Sequence, residues 1–398
     1  MNLLEEIKNL SREYFDDVVF FRRHFHATPE LSTQEHRTAA YIAARLDEMG
    51  ISYEEGIAGT GIIGHIPGKN PASKVIALRA DMDALPILEQ NKVEYKSANP
   101  GVMHACGHDV HMASLLGSAK ILHQLRDHWS GTVKLIFQPS EEKNPGGARM
   151  MLQEGALDHP RPAAIFGQHV FPGLPAGKVG IRSGSYMASA DEIYITVKGT
   201  GGHAAKPELN VDPIVIASHV ILALQQIVSR NAAPYIPTVL SFGRIIGDGQ
   251  TNVIPDEVKI EGTFRTFDEE WRQRAHRRIR ETAVFVAQGM GGGCEVFISD
   301  GYPYLHNNEE LAAKFRRHAS QYLGAENVEE LELSMTAEDF AFYSRKFDTC
   351  FYRLGVRNLE NGKTSNLHTS TFDVDERALE TGTGLMAWLA ICELTGDL

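Results

Sequence analysis

The chain is predicted to be an α/β protein: a mostly parallel sheet that carries the chemistry, interrupted by an inserted α+β unit of ferredoxin-like order. Three observations predict this. Short apolar, β-rich runs alternate with helical stretches up to about residue 180; isolated polar steps fall where those runs end; and near residue 184 the texture changes to half-exposed alternation.

Helical periodicity covers about residues 3–27, 34–49 and 110–126, and β-rich runs lie at Gly61–Ile66, Lys74–Arg79, Thr132–Phe137 and Ala163–Gly167. In open sheets of this kind, ligands bind beyond the carboxyl ends of the strands. The polar steps fall there: Asp81 and Asp83 after the second run, Glu141 and Glu142 after the third, His169 after the fourth. Asp191–Lys198 alternates like a half-exposed strand, an apolar helix follows at about 212–229, then strands Thr238–Ile245 and Glu257–Phe264, a charged helix at about 268–289, and the strand Cys294–Ile298. This order is a two-layer unit in itself. The expected division is residues 1–185 and 299–398 as one domain, which carries the polar steps, and 186–298 as a second domain inserted in it.

At 398 residues, two domains are the default expectation, and 43% hydrophobic with 23% charged residues is an ordinary globular balance. A formal net charge of −12, with basic residues scattered, argues against a nucleic-acid partner. No uninterrupted run of about 18 apolar residues occurs and the start lacks the pattern of a signal peptide, so no membrane association is expected. Four widely spaced cysteines, Cys106, Cys294, Cys350 and Cys392, read as free thiols, and a cytoplasmic location is expected.

The densest chemistry lies in Met103-His104-Ala-Cys106-Gly-His108-Asp-Val-His111. Thiolate and imidazole are donors that borderline-soft ions such as Zn²⁺ prefer. A buried free cysteine beside helix-capping residues is the bland alternative for Cys106 and His108 taken alone. With His169, the acid pair and His368 added, a metal site becomes the stronger reading. His104 and His111 read as supporting or structural. Cys106 as a nucleophile comes second, because His108 is too close in sequence to be a separately anchored base.

Glu141 and Glu142 diverge on a loop, so one can bind metal while the other faces substrate and moves protons. Asp83 reads as a carboxylate that fixes the tautomer of a ligating histidine, with Asp81 left open. In the inserted unit, Gly201-Gly-His203 places an imidazole on a closely approachable loop, while Asn252 and Arg265 add an amide and a fork suited to a substrate carboxylate. Each of these three alone reads more readily as surface decoration. Thr336-Ala-Glu338-Asp339 reads as a helix start capped by Thr336.

Taken in order, eight motifs carry a resemblance: Arg79-Ala-Asp-Met-Asp83-Ala-Leu-Pro, Met103-His-Ala-Cys106-Gly-His108-Asp, Gln138-Pro-Ser-Glu141-Glu142, Gly167-Gln-His169-Val, Gly202-His203-Ala, Thr251-Asn252-Val-Ile-Pro, Ala337-Glu-Asp-Phe340 and Leu367-His368-Thr. Over about residues 15–395 the chain resembles the dinuclear metal-dependent amidohydrolases that include hippurate hydrolases, bacterial N-acyl-amino-acid amidohydrolases and plant auxin-conjugate hydrolases. The resemblance implies Cys106, His108, Glu142, His169 and His368 as ligands of two divalent ions per subunit. Mn²⁺ is the first expectation, with Zn²⁺, Ni²⁺ or Co²⁺ open, and Cys106 would lie between the ions. It also implies residues 1–185 and 299–398 as a metal-binding catalytic domain with Glu141 as general acid–base, a small N-acyl amino acid as substrate, and 186–298 as a lid or dimerisation domain through which a homodimer or higher oligomer forms. His203 would reach the partner's site, and Asn252 and Arg265 would contact the substrate. The wider peptidase superfamily carries His-x-Asp at Asp81-Met-Asp83 and a bridging carboxylate at Cys106. Those departures point toward the amidohydrolase branch, with a dipeptidase or carboxypeptidase as the alternative.

Overall fold

The computed structural model describes residues 2–360 and 362–396, which divide into two compact units. The first comprises the chain to Gly184, His306–Glu332 and the chain from Asp339; the second comprises Ser185–Leu305 and Leu333–Glu338. The boundary expected at residue 298/299 therefore lies at Leu305, and the short return of Leu333–Glu338 to the second unit was not anticipated. That return is bonded to the second unit's own backbone, the amide of Ala188 donating to the carbonyls of Ser334 (3.0 Å) and Thr336 (3.1 Å).

The first unit is built on strands β1 (Ser52–Ile57), β2 (Gly61–Pro67), β3 (Val75–Asp81), β4 (Thr132–Gln138), β5 (Ala164–Pro175) and β6 (Val179–Ile181), joined by Val328–Glu330 and Asp348–Arg357. Their spatial order is β1, β2, β4, β3, β5, Asp348–Arg357, β6, Val328–Glu330. The central four, β4, β3, β5 and Asp348–Arg357, run parallel. All seven residues of β3 and all seven of β4 are buried, as expected for parallel strands covered on both faces. Helices α1 (Leu3–Glu13), α2 (Phe15–Ala27), α3 (His36–Met49) and α4 (His108–Gln124) precede the closing helix Ala378–Thr395. Helix α4 is buried along nearly its whole length, packed on β3 and against the closing helix.

Three local expectations change. The predicted helix at 3–27 breaks at Tyr14, whose ψ of 4° leaves the helical region. Its ring is pinned by Lys120, 3.9 Å from the ring centroid, and its hydroxyl bonds to Gln124, so the chain restarts as α2. Strand β1 escaped prediction because an exposed edge strand reading Ser-Tyr-Glu-Glu-Gly-Ile has little apolar signal. Strand β5 runs on to Pro175, because Asp348–Arg357 pairs with it past Gly167; His169 thus sits within the strand and not after it.

The second unit has an antiparallel sheet in the order Thr238–Ile246, Glu257–Thr266, Asp191–Lys198, Gly293–Ile298. That is second, third, first, fourth along the chain, the arrangement of a ferredoxin-like unit. Ile193, Ile195 and Val197 point into a core completed by the helices Pro213–Gln226 and Glu269–Gly289. Pro213–Asn231 reaches the length and mean hydropathy of a membrane-crossing helix, although Ser218, His219, Gln225, Gln226, Ser229 and Arg230 interrupt its apolar run, as the sequence expectation has it. Its Ile216, Ala217, Val220, Leu224 and Ile227 are buried in this core, which accounts for the apolar content of that face.

Asp191, at the start of its strand, accepts from the Arg272 guanidinium at 2.6 and 2.7 Å and pairs with His276 Nε2 at 2.9 Å. Burial alone would raise the Asp191 carboxyl, but the bonds from Arg272 and His276 outweigh it and hold it below its ordinary 3.8. Its contribution to stability is therefore complete above that ordinary value and drains away as pH falls through the lower folded value. Asp191→Asn is expected to destabilise the second unit by about 3 kcal/mol, because it leaves buried Arg272 with only the half-exposed Glu269 (2.9 Å) as counter-charge. Denaturant melts at neutral pH check this; a loss below about 1 kcal/mol would contradict the analysis.

Candidate metal centre

The ends of the parallel strands place the site. Asp81 closes β3 and Asp83 follows it; Glu141 and Glu142 leave β4 after Gln138; His169 projects from β5; Cys106 and His108 flank the start of α4. Gly107 makes that start possible: its φ is 82°, and a Cβ there would lie 2.4 Å from Val170. His368 comes from the loop after Asp348–Arg357, its amide donating to the Ala105 carbonyl at 2.8 Å. All five expected ligands converge. Cys106 Sγ lies 3.5 Å from His169 Nε2 and 3.3 Å from His368 Nε2, and Glu142 Oε1 lies 3.4 Å from His368 Nε2 and 3.9 Å from His108 Nε2. Donor atoms of Cys106, His108 and His169, of Cys106, Glu142 and His368, and of His108, Glu141 and Glu142 each gather within 4.8 Å.

Elementary hydrogen bonding sets the ring tautomers. A carbonyl only accepts, so His108 Nδ1–H donates to Asp83 O (2.8 Å) and His169 Nδ1–H donates to Val170 O (2.7 Å). Both Nε2 atoms then face the cluster, where a cation that displaces any proton from them would find its ligands. Among the described residues, the buried atoms His108 Nε2 and Glu142 Oε1 have no hydrogen-bond partner. Buried polar atoms without partners are costly, and a cation between them would satisfy both.

The electrostatics point the same way. Burial, then Glu142, Glu141 and Asp81, push the Cys106 thiol well above its ordinary range. A thiol so placed is a poor nucleophile unless a cation offsets the acids. Burial alone would lower His108, yet Asp81, Asp83 and Glu142 carry it up to about 10. Burial, with Arg353 adding to it, pushes His169 down, keeping it neutral. A cluster that raises both a thiol and an imidazole is short of positive charge, and divalent cations fit it.

Asp83 does more than expected. Besides receiving His108 at its backbone, its carboxylate accepts the amides of Glu141 (3.0 Å) and Glu142 (2.9 Å) and the Ser32 hydroxyl (2.6 Å). It thus orients the acid pair itself. Glu35, fully buried, accepts the amide of Ser140 at 2.9 Å and holds that residue at a φ of 53° just before Glu141. Glu35 has no place among the sequence motifs, and Gln138, Arg79 and Asp339 stand in them without a role. Arg79 carried a usable signal: a guanidinium inside an apolar strand run must find counter-charges. It donates to Gln138 (2.9 Å), Asp81 (2.6 Å) and Asp339 (3.0 Å). The expected cap at Thr336 is absent: its hydroxyl pairs with Ser334, and the helical turn begins at Asp339, whose amide lies 3.4 Å from Glu141 Oε1. His104 is buried with neither ring nitrogen hydrogen-bonded among the described residues, and burial drives it down to about 3, so it stays neutral.

In the second unit, His203 and Asn252 adjoin. The two-residue ribbon Gly202–His203 pairs with Val253–Ile254, and the Ala204 amide donates to Asn252 O at 3.0 Å. His203 is exposed, and its Nδ1 accepts the Ala205 amide at 3.1 Å, so a neutral ring carries its proton outward on Nε2. Arg265 lies on the strand Glu257–Thr266, and its guanidinium is 3.4 Å from Met335 O.

The model of peptidase family M20/M25/M40 matches residues 77–391. The chain belongs to this family. It is 40% identical over 386 residues to a probable hydrolase of Synechocystis, covering 97% of this chain and 98% of that one. An N-acyl-L-amino acid amidohydrolase of Geobacillus stearothermophilus is 42% identical over 77% of this chain and 82% of its own, and thermostable carboxypeptidase 2 of Saccharolobus solfataricus 39% over 98% and 99%. Among solved structures, a putative aminohydrolase from methicillin-resistant Staphylococcus aureus superposes with a TM-score of 0.91 at 33% identity, covering 99% of this chain and 100% of that one. A dinuclear metal-binding M20 peptidase from Bacillus subtilis gives 0.82 at 36%, covering 96% and 99%. This M20 member is a hydrolase of the amidohydrolase kind.

Adding Mn²⁺ or Zn²⁺ to chelator-stripped protein is expected to raise its unfolding temperature, with stabilisation of about 2.7 kcal/mol at a hundredfold excess over Kd. His108→Ala should blunt the rise. Melting curves that ignore millimolar metal would refute a cation site here.

Proposed function

We propose that this protein hydrolyses the amide bond of N-acyl-L-amino acids, with acetyl, benzoyl or a similar acyl group, to a carboxylic acid and a free amino acid. Glu141 carries the reading. It is a buried carboxylate whose amide is held by Asp83, set beside the donor cluster while Glu142 turns its own carboxylate to Cys106 and His368. The amidohydrolase relative at 42% identity supports the substrate class.

Cys106, His108, Glu142, His169 and His368 would hold two divalent cations, Mn²⁺ first with Zn²⁺, Ni²⁺ or Co²⁺ as alternatives. Such cations polarise a carbonyl and acidify water when bound. Glu141 takes a proton as the water oxygen bonds to the acyl carbon, then returns it to the amide nitrogen as the carbon–nitrogen bond breaks. His203, with its proton on Nε2, donates to the oxyanion from the partner subunit of a homodimer, and Asn252 and Arg265 receive the substrate carboxylate. The free thiols of Cys106, Cys294 and Cys350 agree with a reducing cytoplasm. The carboxypeptidase relative at 39% identity favours a second reading, cleavage of dipeptides or C-terminal residues by the same chemistry.

Glu141→Gln is expected to keep its metal while turnover falls by about 10²–10⁴. Wild-type rates in a metal-loaded variant would remove Glu141 from the mechanism. Mixing Glu141→Gln with His203→Ala should restore part of the activity through hybrid dimers; none, despite proven subunit exchange, argues against action in trans. Hippurate and N-acetyl amino acids should be better substrates than dipeptides, and the reverse kcat/KM order selects the peptidase reading.

A further inference from the structure

We propose that Asp81 and His111 are a positioning pair that sets His169, and that neither is itself a metal ligand. This rests on the metal reading above. The argument begins with the backbone of β5. Pairing between β3 and β5 ends at Arg79 opposite Gly167, while β5 continues beside Asp348–Arg357. Residues past Gly167 therefore lack a strand on the β3 side, and their buried amides need another acceptor. Val170 finds it in His111: its N–H donates to His111 Nε2 at 2.9 Å.

That bond fixes the imidazole. Since the Val170 amide must be the donor, Nε2 is unprotonated; the ring proton of a neutral His111 sits on Nδ1 and donates to Asp81 Oδ1 at 2.5 Å. The other carboxylate oxygen of Asp81 accepts from Arg79 at 2.6 Å. Both nitrogens of His111 are thus committed within the protein, and each oxygen of Asp81 already accepts one hydrogen bond, although Asp81 Oδ2 lies 3.6 Å from His108 Nε2. All three side chains are fully buried.

The chain of bonds then reaches the cluster. The Val170 carbonyl accepts His169 Nδ1–H at 2.7 Å, which turns His169 Nε2 toward Cys106. His111 and His169 also meet ring to ring, with centroids 4.7 Å apart. Asp81 holds His111, His111 holds the Val170 N–H, and the carbonyl of that same residue, in the next peptide along, aims His169. A proton on the wrong nitrogen of His111 would release Val170 and leave His169 without its orienting carbonyl.

The test uses the intact protein. In ¹⁵N-histidine spectra, His111 should show a protonated Nδ1 and an unprotonated Nε2, with no direct-ligation shift when Zn²⁺ is added. A ligation shift at His111, or a proton on Nε2, overturns the proposal. Competition with a chromophoric chelator measures Zn²⁺ and Mn²⁺ affinity. His111→Leu should weaken it about 10–100-fold. His111→Gln, whose carbonyl can still accept from Val170, should recover part of that loss. A folded His111→Leu protein with parental affinity, or a His111→Gln protein as weak as His111→Leu, overturns it. Should His111→Leu fail to fold, the spectrum and a His111→Gln against His111→Asn comparison decide, with Gln expected to bind more tightly. A parent protein that binds neither cation refutes the underlying metal reading, which is a separate failure.

Discussion

The buried guanidinium of Arg79 is the constraint on which the first unit's chemistry depends. It has no solvent exposure and follows the apolar run Val75–Leu78 on a central strand of the sheet, so it exists only by being paired. Its partners include Asp81 at the end of its own strand, Gln138 at the end of β4, and Asp339 at the start of the turn Asp339–Arg345. Gln138 and the Ala148 amide complete the shell of Asp339. One cation thereby ties the carboxyl ends of two strands to a returning loop, and removing it would leave two buried carboxylates uncompensated.

From that anchor the donors are aimed by groups that cannot change sign. His108 and His169 are turned by backbone carbonyls, and Glu141 and Glu142 hang by their amides from Asp83. Two residues that carry the arrangement, Ser140 and His368, sit in left-handed conformations at φ 53° and 61°. Such conformations cost about 1–3 kcal/mol each and persist only where neighbours dictate them. Glu35 does so for Ser140, and the Ala105 carbonyl for His368. Preorganisation of this kind lets a site bind cations without first rearranging its own dipoles.

The second unit uses the same device for a different end. Asp191, bridged to Arg272 and His276, joins the first strand of that sheet to the helix Glu269–Gly289. The result is a stiff two-layer body that presents His203 and Asn252 on a short exposed ribbon. There an ordinary backbone amide, that of Ala205, selects the tautomer of His203.

By itself the sequence determined the layer pattern, the second unit's strand and helix order, and the identity of the donors. Apolar periodicity dictates which segments bury, and a polar residue at the end of a buried strand stands out against it. The eight ordered motifs carried the M20 family likeness for the same reason. Tertiary structure alone decided where β5 ends, since that depends on a partner strand about 180 residues later in the chain. It also decided the work of Asp81, Asp83, His111 and Asp339, because a carboxylate's role follows from which donors surround it. Arg79 shows the boundary best. Its presence in an apolar run announces that counter-charges must exist, but only the folded chain says that they are Asp81 and Asp339, the latter 260 residues away.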